Sequence, residues 1–582
     1  MLGCDKKLKN DGLADESSIK DGKTANGSKA DSAGAKERNR ALIQIKQVAV
    51  MSIMMQSANQ QCNALGSIIG IFLHSCNTPE KVIKMLSRIG ISISVSSVNN
   101  AIKSLSVDSR HTIIQLGQKL TAGFAYDNFD VNLKVSMLTV EQSEDTLVHL
   151  TSGDVLQLEH CAPEDLKCSE ELWKKSPLND EADESLPQHT YVDLLTLHPE
   201  TEHASGLTRR GQFNTWRFIL DLIEHGPAYF QQFRDRLHDP EIIDQIPLSK
   251  LEHTPARSMD INQSKVLGNL QAIANLLAQG GLGDPNDDDC DSEVVDISEF
   301  VTLIYGDLGT WEWVRSLLER RAIEDTPWLR YQFVVFVMGL FHLKMACADA
   351  IWQIFINPPK SRQDNNTFIK FVDKLRPKET GKITSDPGFR RMHEVIGHIG
   401  ICLRLDAWRV EVEKRHPECK TLDDWAKLQP SFEDIEDIAR TLVSDYVLGE
   451  GIDISDLRSN KTAACDLEHE NILLMHQYLL LYEEITFAMN GGDVGRVETV
   501  FPPWIAILKA CGKHKYADAM TDFLTNVHFV YPEGLRRAVR YNMLVNPTGK
   551  PGQYRGVDWV VELLNLFMKH VYGGSGSNFT KE

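Results

Sequence analysis

Apolar and polar positions follow two rhythms along this chain, and the places where one gives way to the other outline its organisation. From Ala41 to about Leu120 the apolar residues recur at helical spacing, and Thr78-Pro79-Glu80 reads as a helix start, a cap residue followed by proline. Lys81 to Ile89, Gly90 and then Ser94 to Leu105 have the spacing of two helices joined by a tight turn. The second of these carries a single lysine, Lys103, whereas phosphate contacts need several cations, so a helical bundle is expected there rather than a DNA-docking element. The rhythm then shortens. Residues 121–152 read as two or three strands, with Asp127-Asn-Phe-Asp130 between a first run from Leu120 and a second from Val131 to Val140.

Downstream, Glu159 to Pro187 reads as an acidic surface loop and Thr190 to Leu197 as a possible return to the sheet, with helices over Gly211–Leu237 and Ser264–Gln279. Asp284 to Asp296 is an acidic loop that lacks the central glycine and final glutamate of a calcium loop. Val301–Tyr305 reads as strand, Thr310–Arg321 as helix, Phe333–Met338 as strand and His342–Phe355 as helix. Beyond Pro358 the pattern is helical, with breaks expected at Pro417, Pro430, Gly449-Glu-Gly451, Gly491-Gly492, Pro502-Pro503 and Pro547–Gly552. The expected division is a disordered tail over 1–40, a helical region over 41–120, a mixed core over 121–358, a helical annex over 359–573 and a flexible tail over 574–582. The expected class is α+β or α/β, a mixed-sheet core between an N-terminal helical bundle and a large C-terminal helical annex.

Composition narrows the picture only slightly. With 582 residues, 42% hydrophobic and 25% charged, the chain is that of an ordinary globular protein of two or more domains. A formal charge of −19 gives no global attraction to nucleic acid, so any DNA contact needs a local basic patch. Arg209-Arg210, Arg320-Arg321, Arg390-Arg391 and Arg536-Arg537 are the cations that could build one. The 11 cysteines include no CxxC pair and read as reduced thiols; with no secretory signal and no apolar run long enough to span a bilayer, an intracellular protein, nuclear or cytoplasmic, is expected.

The candidate chemistry lies in carboxylates at strand ends. Asp127 follows an apolar strand, and Asp307 ends the run Phe300-Val-Thr-Leu-Ile-Tyr-Gly306 just before a helix. The order is strand with Asp127, antiparallel strands, helix, strand with Asp307, helix, strand, helix, which is the element order of a ribonuclease-H-like fold. Phosphoryl chemistry on that scaffold holds two divalent ions roughly 3.5–4 Å apart between carboxylates. Glu562 is the expected third carboxylate, with Asp349 as its rival, and Asp558 shares the face of Glu562 at i,i+4. Asp130 and His342 are possible auxiliaries. Turn formation at Asp127–Asp130 and helix capping by Asp307 or Thr310 are the plainer readings of the same residues. His393-Glu-Val-Ile-Gly-His398 spaces its histidines at i,i+5, not the i,i+4 that would set both on one face for zinc.

Several blocks taken together resemble a family of uncharacterised proteins from mushroom-forming fungi, carried as a domain of unknown function. They are Gly90-Ile-Ser-Ile-Ser, Tyr126-Asp-Asn-Phe-Asp, Ile246-Pro-Leu-Ser-Lys, Pro255-Ala-Arg-Ser-Met-Asp, Gly306-Asp-Leu-Gly-Thr, Gly339-Leu-Phe-His-Leu-Lys-Met, Val545-Asn-Pro-Thr-Gly and the run Asp558 to Lys569. The resemblance runs from about residue 70 onwards and implies kinship with ribonuclease-H-like transposases. Asp127, Asp307, His342 and Glu562 carry over as motif positions; Leu564 stands where the pattern expects a histidine-containing run. The family is expected to continue past Gly573–Asn578, which makes this chain a shortened copy. The functional expectation is a transposase-like protein that cuts or transfers DNA phosphodiester bonds with Mg²⁺ or Mn²⁺ held by Asp127, Asp307 and Glu562. The alternative is a non-enzymatic interaction or nucleic-acid-binding protein derived from a mobile element.

Overall fold

A computed structural model describes residues 30–59, 63–133, 146–182, 187, 189–198, 206–286, 294–358, 366–447, 449, 455 and 467–572. Most of the 1–40 segment, the middle of the acidic loop after Asp284 and the 574–582 tail therefore lie outside the described residues. The chain is a mixed α+β protein that divides into two compact units. The first gathers Met1–Leu156, His253–Ile297 and Val560–Glu582; the second gathers Gln157–Glu252 and Ser298–Trp559.

The first unit opens with helices Ala30–Ala58, Ala64–Ser75, Glu80–Arg88 and Val95–Gln118. The first begins ten residues before Arg40, so the end of the expected disordered tail is helical: Ala30, Ala33 and Ala35 favour helix and no proline interrupts. Ser94 caps the fourth helix by accepting from Ser97 N. Gly117 lets that helix meet the turn at Gly280, since a Cβ there would strike the Gly280 backbone. Three strands follow, β1 (Ala122–Leu133), β2 (Thr146–Gln157) and β3 (His253–Pro255), in the order β3-β2-β1. β2 and β3 are antiparallel, with Leu156 opposite His253. Helix Val266–Gln279 covers them. A Cβ on Gly153 of β2 would lie 2.6 Å from Leu276 of that helix, and Tyr126 donates its hydroxyl to Asn269 at 2.9 Å.

In the second unit, β4 (Thr302–Gly306) and β5 (Val334–Met338) are parallel, and every residue of β4 is buried. Each leads directly into a helix, Leu308–Arg321 and Leu340–Phe355. The latter packs on helices Gly388–Arg415, Leu467–Gly491 and Val494–Ala510. Around Trp408, Trp425, Phe218 and Leu442, helix Gly388–Arg415 closes a core with Arg209–His225 and Phe432–Tyr446, to which Leu480 of helix Leu467–Gly491 adds. A ring of ions runs through it: Arg404, fully buried, donates to Asp221 at 2.6 Å and to Glu483 at 2.9 Å, and Arg217 bridges the same two acids. Strands β6 (Leu544–Val545) and β7 (Arg555–Gly556) form a short antiparallel pair before the last helix, Val557–Tyr572.

Three sequence expectations give way. Thr190–Leu197 does not return to a sheet but forms a helix over Tyr191–Leu195 with a capping box of Thr190 and Asp193. The Glu159–Pro187 loop holds two short helices, Pro163–Leu166 and Ser169–Lys174. Pro502-Pro503 do not end a helix; they lie inside Val494–Ala510. A proline at 503 cannot donate to the Thr499 carbonyl, and the Arg210 guanidinium reaches that oxygen at 3.4 Å instead.

Candidate functional site

The strand ends of the second unit are built by sheet register. Gly306 pairs with Met338, and Gly339 N donates to the Gly306 carbonyl at 3.0 Å, so β4 and β5 finish level. The next residue on each strand is then a helix cap. Asp307 caps Leu308–Arg321 by accepting from Thr310 N at 2.7 Å through Oδ1. This is the plainer reading of Asp307, and it occupies only one carboxylate oxygen. Gly306 has to be glycine, because a Cβ would sit 2.7 Å from Thr310.

Gly339 has no side chain with which to cap the second helix, and Asp558 supplies the carboxylate. Its Oδ1 accepts from Phe341 N at 3.0 Å, and its Oδ2 from His342 N at 2.8 Å and from His342 Nδ1 at 2.9 Å. The Asp558 side chain is 3% exposed and that of His342 is 20%. The β6–β7 pair delivers Asp558 two residues after Gly556, and the turn before it is tied by Asn546, which accepts from Thr548 N and Gly549 N. The fit is close. A Cβ on Gly556 would lie 2.5 Å from Asp558 Oδ1, and one on Gly339 would overlap the other carboxylate oxygen. With Nδ1–H donating to a carboxylate, the lone pair of His342 rests on Nε2, the arrangement that orients a histidine as a base or a ligand.

Tyr516 borders this cluster. Burial above all, then the charges of Asp307, Asp558, Cys347 and Asp349, hold its phenol in the protonated form. Asp349 is neutralised by Lys513 at 2.6 Å and accepts from Gln353 at 2.9 Å. It is a charge partner in a helix, not an open ligand.

In the first unit, Asp127 and Asp130 do not form a turn between strands; β1 runs straight through both. Phe129 and Val131 are buried and keep the alternation going, and no glycine or proline interrupts Phe124–Leu133. Asp127 Oδ2 accepts from Asn565 Nδ2 at 3.0 Å, and Ser152 Oγ donates to Asn565 Oδ1. Asp130 is exposed and meets His149 at 2.7 Å. Glu562 is half-buried on the last helix, one turn before Asn565. Asp127 and Glu562 thus belong to the first unit, and Asp307, His342, Asp349 and Asp558 to the second.

Sequence reasoning missed Asn565 and Ser152 and ranked Asp558 too low. The signal was present in Asp558-Trp-Val-Val-Glu562-Leu-Leu-Asn565, whose three polar residues recur at i, i+4 and i+7 amid apolar neighbours. His393 and His398 take separate partners: His393 Nδ1 meets the Tyr482 hydroxyl at 2.9 Å, while His398 accepts from Arg376 at 2.9 Å. Each of the four arginine pairs has a member in a local ion pair, Arg210 with Glu484, Arg321 with Glu324, Arg390 with Glu394 and Arg537 with Asp165.

A family model matches residues 187–582, and its description is Family of unknown function (DUF6589). The chain belongs to the DUF6589 family. The matched stretch takes in Asp307, His342, Asp349, Asp558 and Glu562, whereas Asp127 and Asp130 precede it. No curated protein and no solved structure matches the chain. No described helix is long and apolar enough to cross a membrane.

Proposed function

We propose that this DUF6589 protein is a transposase-like enzyme with a ribonuclease-H-like core that cleaves or transfers DNA phosphodiester bonds with Mg²⁺ or Mn²⁺. The observation that supports this reading best is the pairing at the ends of two level parallel strands: the Asp307 carboxylate on one, the Asp558–His342 dyad on the other. Ligands of open α/β sheets bind outside the carboxyl ends of the strands. Mg²⁺ is commonly held through one or two carboxylates with substrate phosphate completing the shell, so the Asp307 oxygen that the cap does not use suits it. The bound ion would supply charge to the phosphate. His342, fixed by Asp558, would take a proton from the attacking hydroxyl through Nε2. The kinship with fungal mobile elements and a nuclear location go with this reading.

A second reading, a non-enzymatic interaction protein, draws support from the arginine pairs, whose charge is spent on neighbouring acids rather than gathered for phosphate. The deciding experiment incubates purified chain with single-stranded and duplex DNA, with Mn²⁺ or with chelator. Ion-dependent strand cleavage lost in both Asp307→Asn and His342→Gln is the expected result. No cleavage in any condition, or cleavage indifferent to both variants, favours the second reading. The same assay on Asp127→Asn and Glu562→Gln tests the two carboxylates that the sequence alone put forward.

A further inference from the structure

Within the second unit, one fully buried carboxylate is met by two imidazoles. Glu498, on helix Val494–Ala510, is 0% exposed at its side chain, and its Oε2 lies 3.0 Å from His198 Nε2 and 3.0 Å from His528 Nε2. The two rings stand edge to face with centroids 5.7 Å apart. Among the described residues this is one group of three metal-capable side chains whose donor atoms all fall within 4.8 Å of one another.

Each donor is aimed from a different element. His198 follows helix Tyr191–Leu195. His528 lies in a π-helical turn, Asn526–Val530, closed by Tyr531 N donating to Asn526 O at 2.8 Å. An extra residue in a helical turn turns side chains out of their normal track, and such turns gather at functional sites. Glu498 is oriented from behind: Arg540 Nε donates to its Oε1 at 2.6 Å, with Nη2 at 3.3 Å from Oε2. Arg540 is itself held by Asp244, which also accepts from the Tyr541 hydroxyl at 3.0 Å. A ligand carboxylate anchored by its own hydrogen bonds is the usual outer support of a metal site.

We propose that His198, Glu498 and His528 form a binding site for a divalent transition-metal ion, zinc being the best match. Two imidazoles and one carboxylate are the protein ligands of several catalytic zinc centres, with a fourth position left for solvent. Bonds of about 2.0–2.2 Å to a tetrahedral ion set ligand atoms about 3.3–3.6 Å apart, so the 3.0 Å separations from Glu498 to each histidine need to open by about half an ångström. Charge agrees as well. Asp244 and Glu498 contribute two negative charges and Arg540 one positive, a formal −1, so a dication leaves +1 for one anionic ligand to cancel. This site is independent of the phosphodiester reading; either can fail alone.

The test uses the full chain, stripped with chelator, dialysed against zinc or cobalt at pH 7.5 and analysed for bound metal and for the visible spectrum of cobalt. One equivalent of zinc is expected, with a cobalt band typical of nitrogen and oxygen ligands and without sulfur charge transfer, which excludes the cysteines. Binding is expected to vanish in Glu498→Gln and His528→Ala and to persist in His393→Ala. Absence of stoichiometric metal in the wild type overturns the proposal, as does metal retained by a His198→Ala/His528→Ala double variant. Should the variants fail to fold, the wild-type cobalt spectrum decides: a sulfur charge-transfer band, or no band, counts against the site.

Discussion

Replacing Asp558 by Asn is the sharpest test of how the strand-end cluster is held. The carboxylate accepts from three donors: Phe341 N on Oδ1, and His342 N and Nδ1 on Oδ2. An amide of the same size has one acceptor oxygen and one NH₂ group. Placed with its oxygen at the Oδ2 position, it turns NH₂ towards Phe341 N; flipped, it turns NH₂ towards both His342 donors. Donor faces donor either way. Charge-assisted hydrogen bonds are each worth about 1.5–3 kcal/mol, and loss of a helix cap alone costs about 0.5–2 kcal/mol. Some of the three bonds survive, so Asp558→Asn is expected to cost about 2–4 kcal/mol. His342→Ala, which deletes one donor and leaves the cap intact, is expected to cost about 1–2 kcal/mol. Urea unfolding followed by tryptophan fluorescence measures both, since Trp408 and Trp425 lie in the core of the same unit. A cost below about 1 kcal/mol for Asp558→Asn, or a larger cost for His342→Ala, would refute the view that this carboxylate fixes the start of helix Leu340–Phe355.

Three further outcomes are expected. Arg404→Met breaks the buried ring and leaves Arg217 alone to pair with both Asp221 and Glu483, one negative charge uncompensated, costing about 3–5 kcal/mol in the same urea assay. His476 is 2% exposed, and burial first, then Arg404, lower its pKa from 6.5 to about 3. A depressed folded pKa contributes stability above the unfolded value that is lost as pH falls below it, so between pH 7.5 and 5.5 this residue should account for about 1.4 kcal/mol of lost stability. His476→Phe should show a correspondingly flatter pH dependence in paired urea titrations; equal slopes would count against burial of a neutral imidazole. Asn565→Ala removes the donor to Asp127 and the acceptor for Ser152, and a loss of about 1–3 kcal/mol in thermal or urea unfolding is expected.

Sequence by itself determined the elements whose signals are local. The runs at Val301–Tyr305 and Phe333–Met338 are continuous and apolar because both faces of a parallel pair are covered, and they became β4 and β5 within a residue or so. Asp307 was legible as a cap because capping concerns four residues in a row. Where local cues competed with packing, packing prevailed. Asp127-Asn-Phe-Asp130 has turn composition, yet burial of Phe129 and Val131 keeps it in one strand. Pro502-Pro503 has breaker composition, yet the freed Thr499 carbonyl finds Arg210, remote in sequence. The functional clusters were harder still. Asp558 reaches His342 across 216 positions and Glu498 reaches His198 across 300, separations at which no periodicity links one residue to the other. Residue type shows which side chains can carry charge, donate or ligate. Which of them meet is decided by the tertiary structure, because burying a carboxylate is tolerable only where the fold brings donors to it from elsewhere in the chain.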